Sequence, residues 1–238
     1  MVDQWFYQII REDNVYRVEN KYNCSESELQ MLQHRLSGVL SADSNESHPE
    51  GYSIVSLYFD DLQDTCLTDT VDGVELRDKF RIRIYNNSLD IIKLEVKSKK
   101  DGYICKRSKT ITKEQADALM RGECIEDSAS MEDPATLFNL AIRTRGLRPK
   151  VIVAYERKAY IFGPGNTRIT LDRNVRASDR VEKFGTENIS YDFLNTYDKV
   201  LEVKYDEFIP NFLLQLLELG NMQQTSYSKY QLCRQLYL

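Results

Sequence analysis

Apolar and charged residues alternate with a period of two through most of this chain, a spacing that predicts strands rather than helices. In residues 78–86, Phe80, Ile82 and Ile84 share one face and Lys79, Arg81 and Arg83 the other. In 90–99, Ile92, Leu94 and Val96 oppose Lys93, Glu95 and Lys97. The pattern recurs in 15–22 (Val18 against Arg17, Glu19 and Lys21), in 167–175 (Ile169 and Leu171 against Arg168, Thr170 and Asp172) and in 197–206 (Leu201, Val203 and Tyr205 against Glu202 and Lys204). Stretches 52–60, 103–111 and 150–162 complete eight predicted strands. Short turns at Asn86-Asn87-Ser88-Leu89, Lys99-Lys100-Asp101-Gly102 and Gly163-Pro164-Gly165-Asn166 join neighbours as hairpins, so the sheet is expected to be mostly antiparallel.

Helical spacing occupies the intervals. Residues 25–40 open with Ser25 and Glu28 in a capping-box pattern, 112–121 open with Thr112, and 134–145 carry Pro134 in the first turn. The Leu-rich tail predicts helices at 208–219 and 226–237. No repeat, linker or low-complexity tract divides the chain, which reads as one α+β, mainly β domain over residues 1–238. Helices that cover the apolar strand faces leave the charged faces pointing at one another. Eight antiparallel strands suffice to close on such an interior, so the expected fold is a closed antiparallel eight-stranded β-barrel with helices packed outside.

Charge changes the picture. The 238 residues carry 32 Lys and Arg against 37 Asp and Glu, a net charge of −5, which gives no global attraction to nucleic acid or anionic membrane. The inward-facing positions have the opposite bias. Arg17, Lys21, Lys79, Arg81, Arg83, Lys93, Lys97, Lys106, Arg157, Arg168 and Lys204 face Glu19, Glu95, Asp172 and Glu202, a surplus of seven positive charges. Packing like charges is costly, and a polyanion that enters the lumen relieves the cost. Arginine forks and lysine point charges suit phosphate, and the few carboxylates among them suit a divalent cation bridging phosphate oxygens. An uncompensated lumen also implies that Arg81→Ala and Arg83→Ala spare the fold.

Other chemistries find little support. The five cysteines, Cys24, Cys66, Cys105, Cys124 and Cys233, are scattered and read as reduced thiols of a cytoplasmic protein. His34 and His48 lie near no nucleophile or second ligand. No apolar run is long enough to span a bilayer, and Met1–Arg11 lacks the pattern of a signal peptide.

Several motifs arrive together in a recognisable order: Lys21-Tyr22; Leu57-Tyr58-Phe59-Asp60; Arg81-Ile82-Arg83-Ile84-Tyr85; Glu95-Val96-Lys97, followed by Lys106; Tyr155-Glu156-Arg157; Arg168-Ile169-Thr170-Leu171-Asp172; Leu201-Glu202-Val203-Lys204; and Ser228-Lys229-Tyr230. Over about residues 15–235 the chain resembles the triphosphate tunnel metalloenzymes (CYTH-like superfamily), and within them the polyphosphate polymerase domain of the vacuolar transporter chaperone (VTC) complex. The resemblance implies a barrel with its C-terminal helix at one mouth. It implies that Arg81, Arg83, Lys97, Arg157 and Arg168 act on the triphosphate, and that Lys21, Lys106, Lys204, Ser228 and Lys229 bind phosphate. It implies a metal, Mn²⁺ or Mg²⁺, held by Glu202 with Glu19 and Glu95 as further candidates. The substrates implied are ATP and inorganic polyphosphate or pyrophosphate. The wider superfamily opens with Glu-x-Glu-x-Lys; here Arg17-Val18-Glu19-Asn20-Lys21 has one Glu, which fits the polymerase branch. Ser226 stands where eukaryotic polymerase members carry Lys. The inositol-phosphate-sensing and membrane domains of those members have no counterpart, so the chain reads as a bare prokaryotic-type catalytic domain, with room for a separate membrane partner. No oligomeric state follows from the sequence.

Three functions are compatible with these residues. A polymerase passes the γ-phosphate of ATP to a phosphate chain end, which is already ionised near neutral pH and needs no general base. A triphosphatase must orient water with a spare carboxylate, for which Glu19 and Glu95 are the candidates. A non-catalytic polyphosphate-binding module needs the basic lumen alone.

Overall fold

The computed structural model describes residues 18–43, 46, 51–100, 103–194, 199–218 and 222–238. Arg17, His48, the Met1–Arg11 stretch and the Asp101-Gly102 turn lie outside them. The strands are β1 (Val18–Asn23), β2 (Ser41–Ala42), β3 (Tyr52–Asp60), β4 (Arg77–Tyr85), β5 (Ser88–Lys100), β6 (Tyr103–Ile111), β7 (Arg148–Phe162), β8 (Thr167–Ser178), β9 (Asp192–Phe193) and β10 (Val200–Tyr205). The described helices are α1 (Glu26–Ser37), α2 (Thr65–Val71), α3 (Lys113–Arg121), α4 (Pro134–Arg145), α5 (Asn211–Leu217) and α6 (Lys229–Arg234). Among the described residues no helix is long and apolar enough to cross a membrane.

All strand pairs are antiparallel, in the order β1-β10-β8-β7-β3-β4-β5-β6, with β2 on β7 and β9 on β8. The sheet curls into a half-barrel, and the closed ladder expected from the sequence is incomplete: among the described residues β1 and β6 do not pair. The physical reason is visible at the edge of β1. Its free backbone is taken by the C-terminal segment, through a bridge between Tyr22 and Gln224 and a hydrogen bond from Thr225 N to Lys21 O of 2.8 Å. Across the seam runs an ion pair, Lys97 Nζ to Glu19 Oε2 at 2.7 Å, linking β5 to β1.

Two apolar layers cover the outside. Leu29, Leu32 and Leu36 of α1 and Leu213 and Leu217 of α5 pack on Tyr160, Ile169, Leu171, Leu201 and Val203. Phe138 of α4 meets Phe59 and Phe80 edge-on at 5.3 and 5.2 Å, within a larger cluster that also takes Ala116 and Leu119 of α3. The apolar faces thus point outward under helices, as the alternation requires.

The helices predicted at 25–40, 112–121 and 134–145 form at 26–37, 113–121 and 134–145, the first two behind capping boxes on Ser25 and Thr112. The tail helices shorten to 211–217 and 229–234, the latter capped by Ser228. Helix α2 has no sequence signal of that kind: its N-cap Asp64 sits at φ 53° with no side-chain cap bond. Its first turn is held from outside. Asp61 Oδ1 accepts from Thr65 N, and Asp60 accepts from Cys66 N and Leu67 N at 2.9 and 3.0 Å.

Gly51 enters β3 at φ +103°, where a Cβ would stand 2.2 Å from the carbonyl oxygen of Arg157. Gly51→Ala must shift the Arg157 strand or strain its own backbone, at about 1–3 kcal/mol. The expected outcome in urea unfolding is a midpoint lowered by that amount with an unchanged m-value.

Candidate active site: a basic tunnel

The inner faces of β1, β3, β4, β5, β7 and β10 and the segment leading into α6 enclose a cavity of about 610 Å³. Glu19, Lys21, Lys79, Arg81, Arg83, Lys97, Arg157, Glu202, Lys204, Ser228 and Lys229 all reach it, so period-two spacing placed most of the expected lumen correctly. Arg77 and Lys99 line it as well. They continue the same alternation on β4 and β5 and face each other in register; Lys99 lies within the predicted strand 90–99, and Arg77 one residue before the predicted strand 78–86.

The deep end is built from ion pairs. Arg81 meets Glu95 Oε2 through Nε at 2.7 Å and through NH2 at 2.6 Å, and donates to the Tyr58 hydroxyl at 2.9 Å. Arg83 reaches the same carboxylate at 3.8 Å and donates to Ser56 Oγ and the Tyr155 hydroxyl. Glu95 is 2% exposed; Lys106 approaches its other oxygen at 3.2 Å from a rim position where the lysine side chain is 52% exposed. Burial alone would raise the Glu95 carboxyl, but Arg81, Arg83 and Lys106 hold it far below the carboxylate range. Arg157 grips Asp172 with both ends of its fork, at 2.6 and 2.7 Å, and Lys229 takes Asp172 Oδ2 at 2.7 Å. Lys229 also lies over the rings of Tyr155 and Tyr227, at 4.8 and 5.3 Å.

These pairs revise one expectation. Arg81 and Arg83 are not free repelling charges, because they neutralise a buried carboxylate. Removing either leaves Glu95 short of a partner, a change that costs more than the relieved repulsion returns.

Three expected lumen residues sit elsewhere. Lys93, on the same face as Glu95 but past the end of the cavity, donates to Thr110 Oγ1. Lys106 stands at the rim. Arg168 is engaged by Asp43 and by the Tyr52 hydroxyl, beyond the wall of the cavity.

Glu19 and Glu202, on neighbouring strands, converge on one ammonium group: Lys204 Nζ lies 3.2 Å from Glu19 Oε1 and 3.3 Å from Glu202 Oε1. A single positive charge already sits between two carboxylates, and a divalent cation at that position suits them. Two carboxylates with phosphate and water oxygens is the ordinary donor set for Mg²⁺. Among the described residues no three His, Cys, Asp or Glu side chains gather for a metal, so further ligands would come from substrate. Burial alone would raise Glu202, but Lys204, Lys21 and Arg157 hold it well below the carboxylate range, ready to bind a cation. Glu95 is not brought together with this pair.

Burial also acts on the lysines. It brings Lys97 down to about 7 against the pull of Glu19. Burial, with Lys21, Lys97 and Arg77 nearby, drives Lys79 well below the usual lysine range, while its Nζ donates to Ser228 Oγ at 3.0 Å. The tyrosines around these cations stood in the sequence motifs without an assigned role. Tyr58 stacks on Tyr230 at 5.0 Å, and Tyr230 donates to Asp60 Oδ2 at 2.6 Å.

A family model described as the VTC domain matches residues 16–238. Solved structures of similar fold include a candidate adenylyl cyclase from Hippeastrum, described as having a dominant triphosphatase activity, at a TM-score of 0.53 and 15% identity over 94% of this chain and 97% of that one. A candidate adenylate cyclase from Bacillus halodurans aligns at a TM-score of 0.51 and 12% identity over 85% of this chain and 86% of that one. No curated protein matches the sequence.

Two outcomes follow from the ion pairs. Arg81→Ala should lose about 3–5 kcal/mol in urea unfolding, and adding Glu95→Gln should restore part of it; equal loss in the single and double variants would remove Glu95 from the account. Lys79 binds fewer protons folded than unfolded below its ordinary titration range, so its burial subtracts stability there and stops doing so as pH rises through about 10. An entering polyanion restores the proton. Calorimetry of tripolyphosphate binding in alkaline buffers of different ionisation enthalpy should therefore show proton uptake, with affinity falling as pH rises, and Lys79→Gln should reduce the uptake.

Proposed function

The chain belongs to the VTC domain family, and from that membership we propose that it is a metal-dependent polyphosphate polymerase, moving the γ-phosphate of ATP onto a growing inorganic polyphosphate chain. One observation carries the choice. Each acidic side chain that lines or backs the tunnel, Glu19, Glu95, Asp172 and Glu202, is held by lysine or arginine. Cations that hold these four carboxylates low make them poor proton acceptors for water, while leaving Glu19 and Glu202 able to ligate a metal. A chain-end phosphate oxygen, ionised at neutral pH, attacks without such help.

In this reading the chain-end oxygen bonds to the γ-phosphorus as the bond to the β,γ-bridging oxygen breaks, and ADP leaves. Arg81, Arg83, Arg157 and Lys229 face the phosphates with geometry fixed beforehand by Glu95 and Asp172, so little reorganisation accompanies the developing charge. Lys21, Lys97 and Lys204 align the chain, and Ser228 with Lys79 closes the wall beside it. A divalent cation, Mn²⁺ or Mg²⁺, held by Glu202 and Glu19, would supply further charge neutralisation on phosphate oxygens. Arg168 and Lys106 stand outside the cavity and would act on the chain only beyond its ends.

The Hippeastrum relative's described triphosphatase activity supports a second reading, hydrolysis of tripolyphosphate or a nucleoside triphosphate. The two separate by product. With γ-labelled ATP, Mn²⁺ and a short phosphate primer, label should enter chains in excess of free phosphate; free phosphate alone, with primer in excess, establishes the triphosphatase. Glu202→Gln should reduce turnover by roughly a hundredfold or more and flatten its dependence on metal concentration, whereas an unchanged metal titration removes Glu202 as a ligand.

A further inference from the structure

The tunnel is not uniformly charged along its length. At its deep end every cation shares a carboxylate: Arg81 and Arg83 with Glu95, Arg157 and Lys229 with Asp172. Midway, Lys97 and Lys204 share Glu19, and Lys21, which has no carboxylate within ion-pair distance among the described residues, donates to the Tyr227 carbonyl at 2.9 Å. Toward the mouth the carboxylates stop. Among the described residues Arg77, Lys79 and Lys99 have no acidic side chain within ion-pair distance. Arg77 donates to the Val74 carbonyl and Lys79 to Ser228 Oγ. The position of this end is marked by its neighbours in the lining: Val18 and Val71 are 41% and 50% exposed, whereas Arg83 and Arg157 at the other end are each 7% exposed.

We propose that Arg77 and Lys99, with Lys79 at the boundary of the three-phosphate site, form an outer subsite that holds the trailing phosphates of an inorganic polyphosphate chain projecting from this mouth. The proposal rests on the phosphate-chain reading of the tunnel and adds which end receives the chain and by what residues. Three considerations lead to it. The first is length. The lining follows β4 from Arg83 to Arg77, six residues or roughly 20 Å of strand, a run longer than three phosphates occupy. The second is repetition. Arg77 pairs in register with Lys99, and Lys79 with Lys97, so cations stand at successive two-residue steps on both strands, the spacing that meets a linear polyanion. The third is the missing countercharge. A cation paired with a buried carboxylate has part of its charge already satisfied, whereas an unpaired one gains fully from an incoming anion. The outer rungs therefore contribute attraction, while the inner rungs contribute position. At the opposite end Arg168 is occupied by Asp43 and Tyr52, and no comparable row of unpaired cations lines the wall there.

The test is chain-length discrimination in binding, measured by calorimetry without ATP. The ligands are tripolyphosphate and a long linear polyphosphate of defined length, with the long chain corrected for the number of registers it offers a three-phosphate site. The wild-type protein should prefer the long chain by roughly tenfold or more after correction. Arg77→Gln/Lys99→Gln should bring that preference close to unity while tripolyphosphate affinity stays within about twofold. Arg180→Gln/Lys183→Gln removes the same charge from an exposed site away from the tunnel and should keep the preference. No corrected preference in the wild type, a preference that survives Arg77→Gln/Lys99→Gln, or equal losses for both ligands would overturn the outer subsite. Failure of tripolyphosphate itself to bind the wild type would instead overturn the phosphate-binding reading of the tunnel.

Discussion

Like charges crowded into a partly desolvated lumen repel, and a sheet whose strands present so many inward arginines and lysines must offset that repulsion before it can fold. Four buried acids do this. Glu19, Glu95, Asp172 and Glu202 each contact at least two cations. Their placement decides more than stability. Because these contacts fix each arginine and lysine in place around the cavity, the site is oriented before any anion arrives. The same pairing makes the carboxylates weak bases, which is why the chemistry argued for this tunnel relies on an acceptor that is already ionised.

A second constraint positions the C-terminal end. Asp60, at the close of β3, is fully buried and accepts from Asp61 N, Cys66 N, Leu67 N and the Tyr230 hydroxyl. It starts α2 and anchors α6 with the same two oxygens. Ser228 and Lys229 immediately precede Tyr230, so their place in the tunnel wall depends on a carboxylate that never faces the lumen. The arrangement separates support from chemistry: one acid fixes the backbone while the neighbouring side chains meet the phosphates.

Much of this was legible in the alternation of residues. Strand existence, strand faces and the basic interior follow from period two, because each inward charged side chain on β4 and β5 alternates with an apolar one that must be covered. What stayed hidden depended on contacts between distant residues. The motif at 57–60 marks Asp60 but not its bonds to residues 66, 67 and 230, so α2, which it starts, was missed. Lys93 and Arg168 have the right parity but lie beyond the cavity's length, a limit that parity does not encode. Barrel closure was overstated for a similar reason: strand number permits a closed ladder, but it cannot reveal that residues 224 and 225 take the edge of β1 that β6 would otherwise fill.

That edge has a consequence for how the chain acquires its structure. The ladder partners of β1 are Val200–Tyr205 on one side and the Gln224–Thr225 segment on the other. The first described strand to leave the ribosome is therefore among the last to be paired, and must wait until residues 200–225 have been synthesised. Until then Glu19 and Lys21 are solvated, and Lys97 and Lys204 lack the countercharge that Glu19 supplies. Such long-range closure places the slow step of folding at the union of β1 with β10 and the 224–225 segment, and the tunnel comes into being only when that union is made.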